Sequence, residues 1–439
     1  MATSVTGDLE LALLQFQRGQ LREVIVSLRP LLIEMRLKRQ DKNGRGATSP
    51  ELRAGLFLIY GRVHHLMEDR EEASDAFESA REYNGSDLRL IDEIALESAY
   101  LTYDFDQSAE HLHSLVEVCA RIKSKQSDQK LIVLAHCYLG QAYLAKGDLF
   151  QAGKELRTAF GISRVLPAAQ VYASYLPLAL LALLHLNEGR MTLAAAMARD
   201  ALNAVDEGAA SRLAKGEALI SSAYNVLPLI VLTRALTQQG LPTRALIAAS
   251  VGYDQSLETF GDEHSLFRQA LAARARALMN SHDYGTASQD YEQLLQIIEQ
   301  RAREHKMDTN VQTLLSYILR TELSLCLARS GESAKAQKYL EQNLKMMTSS
   351  GMDSVDISKV TNVDAVERDI LKRSAASCYM EQQLIEELSV AYLRQGKVGD
   401  MVRLMPASIR ADYNCRLERA VSLLNFVIKK GQDLLEPKP

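Results

Sequence analysis

Residues Leu131 to Ser163 read LIVLAHCYLGQAYLAKGDLFQAGKELRTAFGIS, and two amphipathic helices meet within them at Lys146-Gly147-Asp148. Apolar side chains recur there at helical rather than alternating spacing. Leu139 and Tyr143 face the neighbouring helix, while Gly140 and Ala152 leave room for two backbones to approach. Gly147 permits the turn, and Leu156 and Ala159 close the unit against the next one.

Those seven positions stand at the spacing of one helix-turn-helix unit of a tetratricopeptide repeat, and the stretch resembles that superfamily. The resemblance implies an all-α fold, a right-handed α-solenoid (superhelix) of stacked antiparallel helix pairs. Gly147 and Gly189 stand 42 residues apart, as do Gly240 and His282. A standard repeat takes about 34 residues, so each helix is longer by roughly one turn. Long-helix variants of the superfamily, such as the repeats of kinesin light chain and the sensor domain of the bacterial maltose-type regulators, are similar in this respect.

Working outward, the template recurs along the chain. Leu11 to Leu31 carries a weak copy turning at Gly19, and Gly61, Ala73, Phe77 and Ala80 mark a clear one. Leu96, Tyr100 and Ala109 form a looser unit turning near Asp104. After the reference unit come Leu181, Ala182, Gly189, Ala194, Ala198 and Ala201, then Leu232, Gly240, Ala245 and Ala249. Two later copies run through Ala275, Leu278, Asp283-Tyr284, Ala287 and Tyr291, and through Leu323, Leu327, Gly331, Ala336 and Leu340. Leu388, Tyr392 and Gly396 open the last, where Met401 and Met405 replace small and aromatic residues as in a capping unit. The expected organisation is an N-terminal hairpin over 1–40, an array over 51–346, a loop over 347–365 and capping helices over 366–439. The segments 41–50 and 348–361 read as polar connectors, and 302–313 as a helix end with a short loop.

Two units share a proline in one slot, Leu176-Pro177-Leu178 and Leu227-Pro228-Leu229. Proline inside a helix removes a hydrogen bond, so both helices either begin there or bend there. The preceding segments, Tyr172 to Tyr175 and Glu217 to Val226, are also compatible with helix.

Composition excludes several function classes. The formal charge of −4 and pI near 6.2 disfavour direct nucleic-acid binding through a general basic surface. Five scattered cysteines form no metal or disulfide pattern and fit a reducing compartment. The N-terminus carries Asp8 and Glu10 in its first apolar run, unlike a secretory signal, and no run is long enough to insert in a membrane. The expected location is cytoplasmic, with the nucleus left open.

Motifs for nucleotide, acyl-transfer or zinc chemistry are missing, so the chain is expected to be no enzyme and to hold no cofactor and no metal. His64 and His185 fall in the slot of Tyr143 and read as packed core side chains. Repeat proteins that clasp chaperone carboxyl termini place Lys and Asn on the first helices, and no such pair occurs here. Arg62, Arg234 and Arg276 instead occupy one equivalent slot, with Gln141 at a fourth, as candidate donors to a partner. Stacked hairpins leave a concave surface lined by first helices. That predicts an interaction scaffold or adaptor subunit of a multiprotein complex, gripping a partner peptide or helix. The alternative is a peptide- or ligand-sensing regulator acting on a separate effector chain. Homo-oligomerisation through a terminal repeat stays open.

Overall fold

The computed structural model describes residues 2–38, 49–83, 87–125, 128–167, 170–304, 309–350, 367, 370–371, 374–397 and 399. Among these the only regular elements are helices. Met401, Met405, the tail after 399, and most of the connectors 41–50 and 348–361 lie outside the described residues. The chain divides into two compact units, Met1–Ala270 and Leu271–Pro439.

The first unit stacks helix pairs in chain order: α1 (Ala2–Gln17) with α2 (Leu21–Lys38), α3 (Pro50–Leu66) with α4 (Arg70–Tyr83), α5 (Leu88–Asp106) with α6 (Ala109–Lys125), and α7 (Gln129–Lys146) with α8 (Leu149–Ser163). Then come α9 (Val171–Asn187) with α10 (Met191–Val205), the short α11 (Ala209–Ala214), and α12 (Ala223–Gln238) with α13 (Pro242–Phe260). Helix α14 (Ser265–Asn280) spans the division. The second unit continues with α15 (Tyr284–Glu304), α16 (Thr309–Arg329), α17 (Ser333–Ser350) and α18 (Ser374–Arg394). Among the described residues each unit is a stack of helix pairs joined by short turns.

One device makes the turns. Gly147 adopts φ +79°, its amide and that of Asp148 return to Leu144 and Tyr143, and the Asp148 side chain then caps α8. The same left-handed residue recurs at Gly19, Glu68, Gln107, Gly189, Gly240, His282, Gly331 and Gly396. Arg190, Leu241, Asp283 and Glu332 likewise donate to the carbonyl five residues back. The turn expected near Asp104 is made by Gln107, and His282 does occupy the glycine slot.

Packing explains the small residues. A Cβ on Gly140 would lie 2.6 Å from Cγ of Leu156, and one on Gly61 would lie 2.5 Å from the ring of Phe77. Both pairs are sixteen residues apart, so one large side chain of the second helix fills the hollow that glycine leaves in the first. Ala73, Ala80, Ala152, Ala159, Ala194, Ala198, Ala201 and Ala245 are fully buried, as the register required.

The two helices do not begin at their prolines: α9 begins at Val171 and α12 at Ala223, and each runs on through the proline in its second turn. A second expectation is corrected as well. The segment Glu217 to Ser222 is not helical. Gly208 and Gly216 sit at positive φ around α11, and the Ile220 carbonyl accepts from the side chains of Asn225 and Gln255. These bonds hold the segment open, and its insertion widens the spacing from Gly189 to Gly240.

Candidate functional site

The first helices of the first unit carry a row of packed tyrosines, a tyrosine wall. Tyr100 of α5 stacks on Tyr138 of α7 with ring centroids 4.1 Å apart, and Tyr175 of α9 stacks on Tyr224 of α12 at 5.1 Å. Tyr172 stands 5.3 Å from Tyr224. All are buried, and the Tyr172–Tyr224 end of the wall is occupied.

The occupant is the chain's own N-terminal hairpin. Phe16, at the end of α1, sets its ring 5.3 Å from Tyr172 and 6.1 Å, edge-on, from Tyr224. The Tyr224 hydroxyl donates to the Phe16 carbonyl at 2.6 Å, and the Ala223 amide donates to the Gly19 carbonyl at 3.0 Å. Gln17 Oε1 accepts from the Tyr172 amide, and Arg22 Nε donates to the Thr259 carbonyl at 2.9 Å. Gly19 is demanded twice, by φ +68° and by the closeness of Ser222 and Ala223 to where its Cβ would be. The Phe16 carbonyl thus accepts twice, from the Tyr224 hydroxyl and from the Gly19 amide at 2.9 Å.

A second closure joins the α3–α4 turn to the start of α14. The Leu266 amide donates to Nδ1 of His264 at 3.1 Å, which leaves the proton on Nε2 to be given to the Leu66 carbonyl at 3.0 Å. Glu68, at the left-handed turn position, accepts from the Ser265 amide.

Beneath the tyrosines lies a buried ionic cluster. Arg62 meets Glu97 at 2.7 Å and Glu93 at 2.8 Å, and Glu97 also accepts from the Tyr138 hydroxyl at 2.9 and 3.0 Å. Burial disfavours the charged form of Glu93, but Arg62 and then Lys130 outweigh it and hold its carboxyl at about 2. Burial, reinforced by Glu97, pushes the Tyr138 phenol well above its ordinary value, so it remains a donor. Breaking one partner of such a cluster strands a buried charge.

The four candidate donors are placed differently. Arg62 is 7% exposed, with its guanidinium turned onto Glu93 and Glu97. Gln141 on α7 and Arg234 on α12 are half-buried in the first unit, and Arg276 is half-buried on α14 in the second. His64 lies 2.9 Å from Asp69, and His185 lies 3.0 Å from Glu188, each pairing at its own turn. Among the described residues no group of three or more His, Cys, Asp or Glu is disposed to hold a metal, and no helix is long and apolar enough to cross a membrane.

Sequence reasoning missed Phe16, Tyr172, Tyr224 and the pair Glu93 and Glu97. The available signal was tyrosine recurring beside the two prolines on first helices, together with acidic residues in the apolar run of α5.

No family model matches the chain, and no curated protein does. Among solved structures, the chain is similar to a Rap protein complexed with Competence and Sporulation Factor, at 10% identity and a TM-score of 0.48, over 86% of this chain and 99% of that one.

Proposed function

We propose that this chain is a non-enzymatic cytoplasmic scaffold, an adaptor subunit that holds a helix or peptide of a partner protein against its first helices. One observation carries the reading: the tyrosine wall of the first unit already receives a helical hairpin, through aromatic sockets at Tyr172 and Tyr224 and through hydrogen bonds to backbone. A surface that accepts its own helix end by these means has the chemistry to accept another. Gln141 and Arg234 are then the donors that a partner meets on the first unit, Arg276 offers the same slot on the second by itself, and Arg62 positions the wall from below through Glu93 and Glu97.

The test is a photoreactive residue placed in the full chain at Arg234, with a control at the exposed Asp200 of α10. Adducts to one protein from position 234, and none from 200, support the reading. Adducts from 200 alone would move the contact to the outer helices and end it.

The second reading, a regulator of a separate effector chain, draws on the same hairpin. A ligand that binds the wall in its place would release it.

A further inference from the structure

We propose that the outward face of the N-terminal hairpin is the contact surface of a homodimer, in which α1 of one copy packs antiparallel on α2 of a second. Helices α1 and α2 are apolar on two sides. Ala12, Phe16, Val24, Leu28 and Leu32 point inward and are buried. Leu11, Leu14, Val26 and Ile33 point outward, with Leu14 48% and Val26 74% exposed. Among the described residues these two helices are covered on one side only. Single exposed leucines are ordinary, but four large apolar side chains on two adjoining helices make a patch.

The pattern of this patch selects a second copy as its cover. On α1 the outward row is Leu11, Leu14 and Arg18; on α2 it is Glu23, Val26, Pro30 and Ile33. The Ser27 hydroxyl donates to Gln15 Oε1 at 3.2 Å, which puts residues 15 and 27 at one height in the hairpin. A two-fold axis parallel to the hairpin sets α1 of one copy over α2 of the other at the same heights. Leu11 then falls within a turn of Ile33, Leu14 within a turn of Val26, and Arg18 beside Glu23, each contact made twice. The rows are complementary in charge as well as in apolar character, and Arg18 and Glu23 are both exposed. Two helices about 25 Å long and about 10 Å apart present on the order of 500 Å² per copy, or about 1,000 Å² in total. That is near the lower limit for a specific interface.

Sedimentation of the full chain tests this. The expected mass is twice the 48.8 kDa of one chain. Leu14→Glu with Val26→Glu returns it to one chain mass with helical content and melting unchanged, since both positions are exposed. Arg18→Glu and Glu23→Arg each weaken the dimer about tenfold, and the two together restore it. A wild-type chain that stays at single mass at every soluble concentration would overturn the proposal. So would a dimer indifferent to all four substitutions.

Discussion

The Tyr224 hydroxyl donates a 2.6 Å hydrogen bond to the carbonyl oxygen of Phe16, joining residues 208 positions apart. This contact seats the end of α1 among the aromatic rings of α9 and α12. Tyr224→Phe removes the donor and leaves the ring. The expected loss is about 1 kcal/mol of stability, read by chemical denaturation.

Gly19 and Gly147 both turn at positive φ but differ in surroundings. Nothing lies near a Cβ on Gly147, whereas Ser222 and Ala223 crowd one on Gly19. Gly147→Ala therefore costs only the backbone term, about 1 kcal/mol. Gly19→Ala adds displacement of the 222–223 backbone and costs about 2 kcal/mol or more. Equal melting shifts for the two would show that the hairpin is not seated as described.

The register is tested at Gly140. Gly140→Ala drives a methyl into Leu156 and destabilises by about 1 to 3 kcal/mol. Leu156→Ala alone opens a cavity and costs about 2 to 5 kcal/mol. In the double variant the new methyl occupies part of that cavity, so the combined loss is smaller than the sum of the single losses.

Acid stability follows from Glu93. Its carboxyl is held at about 2 in the folded chain, against an ordinary 4.5. A depressed value means that the contribution is complete above the unfolded pKa and fades as pH falls from about 4.5 to about 2. Its size is on the order of 3 kcal/mol. Glu93→Gln lowers stability at neutral pH, and unfolding of that variant between pH 5 and 2 depends less steeply on pH than that of wild type. Parallel pH profiles for the two proteins would contradict the assignment.

Much of this fold was legible because its rules are local. A glycine or its substitute every few tens of residues sets the turns, and Gly140 with Leu156, or Gly61 with Phe77, sets the pairing. His282 could be aligned to the glycine slot because only one residue there takes the left-handed conformation. The open segment at Glu217–Ser222 was not legible, since its conformation is imposed by Asn225, Gln255 and the distant Gly19. Occupation of the wall was hidden for the same reason: nothing within α1 says that Phe16 meets Tyr172 and Tyr224. Arg62 looked like a surface donor from its slot alone, and Glu97, 35 positions on, turns it inward.

The central claim is that the N-terminal hairpin fills the tyrosine wall of the first unit. Amide hydrogen exchange of wild type and Phe16→Ala tests it most directly. The account predicts that peptides covering 171–187 and 223–238 gain exchange together with those of α1 and α2, while the reference pair 131–163 is unchanged. Exchange in 171–187 and 223–238 that is the same in both proteins would contradict it.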